Sequence, residues 1–314
     1  MYFLGIDLGG TSIKAGLVDK NYNIVQTATC PTKKEATSDV ILEDMANLCM
    51  EVIQKEQIPQ SDVHSIGVGV PGPTIPSEGI IRHTTNLNFK NVNLKVALRK
   101  YLDIEVYAEN DANVAALGEV LLGAAKGAKS AVVITLGTGV GGGIILDGKI
   151  YNGAFFGAGE IGHQVINFES DLICGCRRLG CYEQYASATA LIRMAKEDPS
   201  QMMIDMAGGL NSIVAKTVFD AKDAGDKKAS ELLDKYFYYV SIGIANLINI
   251  LQPEYIILGG AMSAQKEKLI EPITHYVKQQ TLKGLELETQ IKVATLGNSA
   301  GIIGAALLGT TLQR

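Results

Sequence analysis

The sequence predicts an α/β protein whose two halves follow one plan. Strand-like apolar runs are interspersed with segments in which apolar residues recur at helical spacing. The pattern Ile-x-Leu-Gly occurs at Ile6 and again at Ile134, each time in a strand-like run that ends in a Gly/Thr turn. With 314 residues, the chain is long enough for about two domains with separate cores.

The first half begins with three strand-like runs. An amphipathic helix follows, with Ile41, Met45 and Leu48 on one face. The turn Pro71-Gly72-Pro73 ends the next apolar run. The predicted elements are strands at Tyr2–Ile6, Ile13–Val18 and Asn23–Thr29, a helix at about Asp39–Gln57, strands at Ser65–Val70 and Ile104–Ala108, and a helix from Asp111 to about Leu122.

The second half opens with another pair of strands and then becomes largely helical. Its last helix is apolar and is expected to return to the N-terminal half. The predicted elements are strands at Ala131–Leu136 and Gly143–Leu146, helices at about Ala190–Lys196 and Lys228–Leu251, a strand at Tyr255–Leu258, and a helix from about Ala300 to Leu308.

Composition restricts the class of protein. Hydrophobic residues make up 47% of the chain and charged residues 19%, as in a compact globular protein. A net charge of −5 argues against a nucleic-acid surface, because binding a polyanion depends on clustered Lys and Arg. No apolar run approaches the length of a membrane span. The N-terminus begins in a strand-like pattern without a signal peptide, so we expect a cytoplasmic protein with no membrane partner.

The two Gly/Thr turns are candidate phosphate-binding sites. A turn without bulky Cβ atoms exposes its backbone N–H groups, which can hold phosphate oxygens. Asp7 ends the first of these strands, where a carboxylate is suited to hold Mg²⁺. Lys14, on the following strand, is expected to face solvent and receives no role. Two matches to other nucleotide motifs fail. Gly137-x-Gly139-x-x-Gly142 leads into a strand and not into a helix, and the Walker A-like Gly143-x4-Gly148-Lys149 is followed by Ile150 where the motif has Ser or Thr.

A cluster of cysteines predicts a metal site. Three of the five cysteines fall between residues 174 and 181, and His163 lies shortly before them. Thiolates this close repel one another unless a cation lies between them, and Cys3His is a donor set of closed tetrahedral Zn²⁺ sites. Buried thiols or a disulfide are the alternatives, although core cysteines have no reason to cluster in a Gly- and Arg-rich loop. Cys30 and Cys49 are interpreted as packing residues.

Several motifs in the same order resemble one family, from about residue 2 to residue 309. The two Gly/Thr turns, Asp7–Thr11 and Leu136–Gly139, look like the phosphate loops of the superfamily of actin, hexokinase and heat-shock chaperones. Within it, the other motifs resemble those of the ROK family of bacterial sugar kinases and sugar-sensing repressors. These motifs are Glu109-Asn110-Asp111-Ala112-Asn113, Gly159-Glu160-Ile161-Gly162-His163, Cys174-x-Cys176-x4-Cys181-x-Glu183 and Leu258-Gly259-Gly260. Arg177 departs from the pattern, since the family usually has Gly there.

The resemblance implies a fold and its division into domains. The expected fold is an actin-like, ribonuclease H-like two-lobed ATPase fold with a central cleft. A small α/β lobe would comprise residues 1–118 and a returning C-terminal helix at 300–314. A large α/β lobe with the zinc-binding loop would comprise residues 119–299. Because the family is commonly dimeric or tetrameric, a homodimer or homotetramer is expected.

The resemblance also implies an activity, the ATP-dependent phosphorylation of a hexose, with glucose converted to glucose 6-phosphate. Another hexose or amino sugar (N-acetylmannosamine, fructose or allose) is the alternative within the family. A sugar-responsive repressor is a further alternative, but its helix-turn-helix segment would have no room before a phosphate loop that begins at residue 7. An actin-like or chaperone ATPase would not need two carboxylates and a histidine in one zinc-braced loop.

The roles implied by the resemblance fall into four groups. Asp111 is the base that accepts the proton of the sugar hydroxyl, although its position also suits a helix N-cap. The hexose ligands are Asn86, Asn110, Asp111, Glu160, His163 and Glu183. Mg-ATP is bound by Asp7, Gly9, Gly10, Thr11, Gly137, Thr138, Gly139, Gly259 and Gly260. A structural Zn²⁺ is held by His163, Cys174, Cys176 and Cys181.

Overall fold

A computed structural model describes residues 1–84, 87–283 and 288–311. The chain divides into two compact units, which we call the first and second units. The first contains Met1–Ala131, Gly143–Gly159 and Thr295–Arg314, and the second contains Val132–Gly142 and Glu160–Ala294. The domain limits expected from the resemblance, at residues 118 and 300, stay predictions.

The N-terminal part of the chain forms a five-stranded sheet with the order β3-β2-β1-β4-β8. β1, β2 and β3 are antiparallel, whereas β4 and β8 add to β1 in parallel. A small antiparallel sheet has the order β5-β6-β7. The elements are β1 (Tyr2–Leu8), β2 (Ser12–Asp19), β3 (Ile24–Pro31), α1 (Ser38–Lys55), β4 (Val63–Val70), β5 (Thr74–Ile75), β6 (Ile80–His83), β7 (Lys90–Asn93), α2 (Leu94–Arg99), β8 (Glu105–Asn110) and α3 (Asp111–Leu121).

The rest of the chain contributes a second five-stranded sheet with the order β11-β10-β9-β12-β13. β12 and β13 are parallel, and β10 and β11 are antiparallel. The elements are β9 (Ala131–Leu136), β10 (Val140–Leu146), β11 (Lys149–Ile150), α4 (Glu183–Ala186), α5 (Ala188–Glu197), α6 (Gln201–Ala207), α7 (Ala215–Asp223), α8 (Lys227–Leu251), β12 (Tyr255–Gly259), α9 (Glu267–Gln280), β13 (Gln290–Val293), α10 (Ala300–Ala306) and α11 (Leu308–Thr311).

The predicted α/β class is confirmed, and its physical origin is clear in the first sheet. The central strands β1 and β4 are almost wholly buried on both faces. Their continuous apolar runs are typical of strands that are covered on both sides. The amphipathic helix α1 adds its buried face, including Cys49, to the same core, and Cys30 packs against that core as predicted.

Glycines let α10 approach the first unit's sheet and α3 at backbone distance. A Cβ atom at Gly67 in β4 would overlap the carbonyl group of Ala305. A Cβ atom at Gly304 would overlap the carbonyl oxygen of Val114 in α3. Because these obstacles are backbone atoms, a side chain at either glycine would push α10 away. The same close contact holds α3, whose first residue is Asp111, in place.

Some elements differ from the sequence prediction. The apolar segment after residue 300 is two short helices and not one, because α10 ends at Ala306 and α11 begins at Leu308. β10 begins at Val140 and not at Gly143, since ladder pairing includes glycines that have little β-propensity of their own. The short strands β5–β7, β11 and β13 and the helices α2, α4, α6, α7 and α9 were not predicted. Among the described residues, no helix combines the length and apolar character needed to cross a bilayer.

Candidate active site

The first Gly/Thr turn connects β1 and β2 in the first unit. The strands pair in antiparallel register up to Leu8 and Ile13, and the backbone nitrogen of Gly9 donates to the carbonyl oxygen of Ser12 at 3.0 Å. The hydroxyl of Thr32 donates to the carbonyl oxygen of Gly9 at 2.7 Å and braces the turn from β3's end. A Cβ atom at Gly10 would meet nothing within 4 Å. The turn is therefore an open, backbone-lined tip, as the sequence predicted.

Asp7 and Lys14 face each other beside this turn. They are register partners in the β1–β2 ladder, and Lys14 Nζ lies 3.5 Å from Asp7 Oδ2. Lys14 was expected to face solvent, and its side chain is 32% exposed, but its ammonium group also pairs with the Asp7 carboxylate. The sequence contained the signal: strands that pair at residues 8 and 13 must place residue 14 opposite residue 7. The turn thus combines a carboxylate, suited to a cation, with an ammonium group, suited to phosphate.

The junction between β8 and α3 carries Asn110 and Asp111. Asn110 is the N-cap of α3, and its side-chain oxygen accepts from the backbone nitrogens of Ala112 at 2.9 Å and Asn113 at 3.2 Å. The alternative interpretation of Asp111 as the N-cap is therefore wrong, since it is the first helical residue. Asp111 is half-buried, and its Oδ1 accepts from the nitrogen of Ala112 at 2.8 Å. A carboxylate at this end of α3 is favoured by the helix dipole.

The second Gly/Thr turn connects β9 and β10 in the second unit. The backbone nitrogen of Gly137 donates to the carbonyl oxygen of Gly139 at 3.0 Å, and Thr138 is exposed at the tip. The nitrogen of Ala188, the first residue of α5, donates to the carbonyl oxygen of Gly137 at 2.9 Å. As at the first turn, a Cβ atom at Gly137 would meet nothing within 4 Å.

The structure brings the Gly259-Gly260 pair next to this second turn. Gly260 follows β12 with a φ of +77°, which favours glycine. A Cβ atom there would lie 2.6 Å from the carbonyl oxygen of Leu136, at the end of β9. Two glycine motifs more than 100 residues apart therefore lie in contact, because β9 and β12 are neighbours in the sheet. Both were predicted to contact the nucleotide.

His163 has one ring nitrogen toward the cysteines and the other toward Glu160. Its Nδ1 lies 3.5 Å from Cys174 Sγ, and its Nε2 lies 4.0 Å from Glu160 Oε2. The side chain of Glu160 is 62% exposed, so this carboxylate is available to a ligand. The segment from Glu160 to His163 lies against the beginning of β10. The contact is so close that a Cβ atom at Gly162 would overlap the carbonyl oxygen of Val140.

His163 and three cysteines form the one cluster with metal-binding geometry found among the described residues. One ligand atom from each of His163, Cys174, Cys176 and Cys181 lies within 4.8 Å of the others. All five cysteines are free thiols, so the disulfide alternative is not realised. Cys176 Sγ and Cys181 Sγ are 3.5 Å apart. Sulfur atoms bound to one tetrahedral Zn²⁺ at about 2.3 Å would be about 3.8 Å apart, so the donor set fits zinc.

The three thiols of the cluster differ in how readily they lose a proton. Burial raises the pKa of Cys181 to about 12 and also raises the pKa of Cys174. A hydrogen bond from the backbone of Arg178 lowers the pKa of Cys176. Without a metal, the two buried sulfurs are neutral thiols near pH 7. A bound Zn²⁺ would stabilise all three thiolates and release protons.

Arg177 forms the tip of the cysteine loop in a left-handed conformation. Its φ is +67°, a region in which non-glycine residues are strained. Two backbone hydrogen bonds close the turn. The nitrogen of Arg177 donates to the carbonyl oxygen of Cys174, and the nitrogen of Cys174 donates to the carbonyl oxygen of Arg178. The backbone conformation suits the glycine usual in the family. In this chain, Arg177 adopts it while the three cysteines stay together.

Glu183 joins the cysteine loop to the second turn. Its Oε2 accepts a hydrogen bond from the backbone nitrogen of Val140 at 3.0 Å, and its Oε1 lies 3.7 Å from Cys174 Sγ. A Cβ atom at Gly139 would overlap Glu183 Oε2, so the glycine leaves space for the carboxylate. The predicted hexose ligand Asn86 lies outside the described residues.

Comparisons with known proteins agree on one family. The family model described as ROK matches residues 3–311. A glucokinase from Halalkalibacterium halodurans is 38% identical over 312 residues, which cover 98% of this chain and 94% of the relative. A glucokinase from Thermotoga maritima is 33% identical over 96% of this chain and 95% of the relative.

The fold has a close match among solved structures. The crystal structure of a ROK family glucokinase from Streptomyces griseus, in complex with glucose and AMPPNP, has a TM-score of 0.82 to this chain. The two are 31% identical, and the match covers 100% of both chains.

Proposed function

The chain belongs to the ROK family, and on that premise we propose that it is an ATP-dependent glucose kinase that forms glucose 6-phosphate. The observation that carries the proposal is its full-length similarity to glucokinases, at 38% identity to the relative from H. halodurans. The fold is the mixed α/β fold of the actin-like ATPases, as the sequence predicted. The enzyme class, a sugar kinase, follows from the glucokinase relatives together with the solved ROK glucokinase structure.

In the proposed reaction, a sugar hydroxyl attacks the γ-phosphorus of ATP and ADP leaves. The hydroxyl loses its proton to the carboxylate of Asp111. Asp111 begins α3 and is half-buried, so it is held in place yet within reach of a substrate. Such a base contributes about 100- to 10,000-fold to the rate.

The nucleotide is proposed to bind at the glycine turns. In the first unit Asp7, Gly9, Gly10 and Thr11 serve this role, and Lys14 joins them because it pairs with Asp7. In the second unit, the residues are Gly137, Thr138, Gly139, Gly259 and Gly260. A Mg²⁺ bound near Asp7 would neutralise charge on the phosphates during transfer.

The hexose is proposed to bind through amides, carboxylates and one histidine. These groups form the multiple hydrogen bonds that adjacent sugar hydroxyls require. Glu160 and the Nε2 atom of His163 support this role, because they lie 4.0 Å apart and Glu160 is exposed. The full proposed set is Asn86, Asn110, Asp111, Glu160, His163 and Glu183.

A structural Zn²⁺ is proposed for His163, Cys174, Cys176 and Cys181. Four protein ligands complete a tetrahedral shell, so the ion would brace the loop and would not activate water. The reaction is proposed to take place in the cytoplasm, since none of the five cysteines is in a disulfide, which suits a reducing compartment. A homodimer or homotetramer is proposed from the family resemblance, and light scattering would measure it.

A coupled ADP-release assay with a panel of hexoses tests the proposed function. We expect the highest kcat/KM for glucose, compared with fructose, allose and N-acetylmannosamine, and a reaction without sugar measures background ATP hydrolysis. If another sugar gave a higher kcat/KM, that sugar and not glucose would be the preferred substrate. Sugar binding by calorimetry without turnover of any sugar would instead favour the repressor alternative.

A further inference from the structure

A buried ring of hydrogen bonds lies directly behind the junction that carries Asn110 and Asp111. Glu109, the residue before Asn110, is 2% exposed, and Asn113 is 4% exposed. Asn113 Nδ2 donates to Glu109 Oε1 at 3.0 Å and to Asn152 Oδ1 at 3.0 Å. Asn152 Nδ2 donates to Glu109 Oε2 at 2.8 Å and closes the ring. We call Glu109, Asn113 and Asn152 the carboxylate ring.

The carboxylate ring is bound to the backbone of the junction as well. Glu109 Oε1 also accepts from the backbone nitrogen of Asn110 at 2.7 Å. This bond orients the peptide unit at which β8 turns into α3. Since Asn110 also caps α3, its position is fixed from two sides, and the direction of the Asp111 side chain follows from it. On the sheet side, a Cβ atom at Gly69 would lie 3.6 Å from the Cα atom of Asp111.

Asn152 connects a third segment to the ring. It follows β11, and its carbonyl oxygen accepts from the nitrogen of Ala158 at 3.1 Å, which closes a loop over residues 152–158. The ring therefore draws together the end of a strand, the first turn of a helix and a closed loop, all in the first unit.

The ring is electrostatically unusual, because the groups that stabilise the carboxylate are neutral amides. Burial raises the pKa of Glu109, against the effect of the hydrogen bonds from Asn113, Asn110 and Asn152. Burying a carboxylate is costly unless its oxygens are well paired. In the observed arrangement both carboxylate oxygens of Glu109 accept hydrogen bonds, and loss of a donor would leave a buried carboxylate oxygen poorly paired, so the ring favours this arrangement.

We propose that Glu109 is the positioning residue of this junction: it sets the geometry of Asn110 and Asp111 through the carboxylate ring, without touching the hexose or ATP. This role rests on the proposed function, in which Asn110 binds the sugar and Asp111 accepts its proton. A displacement of about 1 Å at such a base costs on the order of 100-fold in rate.

Moving the negative charge around the ring tests the proposal. Glu109→Gln places an amide group against the amide of Asn152, so two donors face each other. Asn152→Asp alone places two carboxylates against each other. In the double variant Glu109→Gln/Asn152→Asp, the new amide donates to the new carboxylate, whose other oxygen still accepts from Asn113. The ring is then complete, with its charge at residue 152.

We expect each single variant to lose about 10- to 100-fold in kcat/KM for glucose, with the KM for ATP within about threefold of the wild-type value. The double variant should recover most of the lost activity. A general loss of folding would lower the apparent kcat by reducing the active fraction and would leave both KM values unchanged, and thermal unfolding of each variant measures that effect. The proposal would be overturned if Glu109→Gln had the same kcat/KM for glucose as the wild-type protein. It would also be overturned if the kcat/KM of the double variant did not exceed that of Glu109→Gln.

Two further measurements keep the outcome clear. If Glu109→Gln does not fold, Asn152→Ala removes one donor from a half-buried position, and unchanged kcat/KM in that variant would overturn the proposal. Glucose binding by calorimetry requires no turnover and reports on Asn110. Wild-type protein that binds glucose without phosphorylating it would refute the proposed kinase function, and weaker binding by Glu109→Gln would still support the positioning role. If wild-type protein binds no hexose, both proposals fail.

Discussion

The carboxylate of Glu183 accepts a hydrogen bond from the backbone nitrogen of Val140 at 3.0 Å. The same side chain lies 3.7 Å from the sulfur of Cys174. One carboxylate therefore contacts both the second glycine turn and the proposed zinc cluster. A change in either feature should alter the position of Glu183 and, with it, the proposed binding of the hexose.

Gly139→Ala tests this relationship directly. The new methyl group would overlap Glu183 Oε2, the mobile end of a side chain, so the carboxylate should move while the fold is retained. The displaced carboxylate should lose one of its proposed hydrogen bonds to the sugar. Because a hydrogen bond to a charged group contributes about 1.5–3 kcal/mol, the KM for glucose should rise about 10- to 100-fold. Gly157→Ala is the matched control, because its methyl group meets nothing within 4 Å and Gly157 has no proposed role in binding. Equal glucose KM values in the two variants would contradict the expectation.

Cys176→Ser should remove the zinc and weaken glucose binding. Serine replaces a thiolate ligand, and the loop that carries His163 and Glu183 should lose its brace. Elemental analysis should give one zinc per chain for wild-type protein and for Cys30→Ser, whose cysteine lies outside the cluster. Cys176→Ser should contain little zinc and have a raised KM for glucose. Full activity of wild-type protein after complete removal of zinc would rule out the link to sugar binding.

Asp111→Asn should nearly abolish phosphoryl transfer. The amide keeps the shape of the side chain but cannot accept the hydroxyl proton, so kcat should fall about 100- to 10,000-fold. Glucose should still bind, as measured by calorimetry, because the amide oxygen can accept a hydrogen bond from a sugar hydroxyl. Asp103→Asn, at an exposed loop position, is the control. Near-normal turnover in Asp111→Asn would remove this residue from the role of base.

Asp7→Ala should impair the use of ATP much more than the binding of glucose. The variant loses the carboxylate proposed to hold Mg²⁺ and leaves Lys14 without its partner. The KM for Mg-ATP should rise on the order of tenfold or more, because a hydrogen bond to a charged group contributes about 1.5–3 kcal/mol to binding. Kinetics at limiting Mg²⁺ make the comparison, with the exposed Asp62→Ala as the control. An unchanged response to Mg²⁺ would refute the assignment of the first turn.

Gly304→Ala should destabilise the first unit. Its methyl group would overlap the carbonyl oxygen of Val114, and neither helix backbone can yield without moving α10 from α3. Overpacking of this kind costs about 1–3 kcal/mol or more. Urea denaturation measures the loss, with Gly157→Ala as the control because its methyl group meets nothing within 4 Å. Equal stability of the two variants would show that the helix contact is not essential.

The sequence by itself determined the features that depend on local order along the chain. The Gly/Thr turns, the helix that begins at Asp111 and the cysteine cluster each consist of residues close in sequence. Strand and helix periodicity follows from which side chains must be buried, so the central strands and α1 were predictable. The short strands β5–β7 were not, because so few residues carry no clear period.

The tertiary structure alone decided which distant groups meet. The contact of Gly260 with Leu136 depends on the order of strands in the second sheet. Glu109 and Asn152 are 43 positions apart and meet only because strand, helix and loop pack together. Such contacts are set by the packing of the whole fold, because the residues that form them are far apart in the sequence and no local sequence pattern connects them.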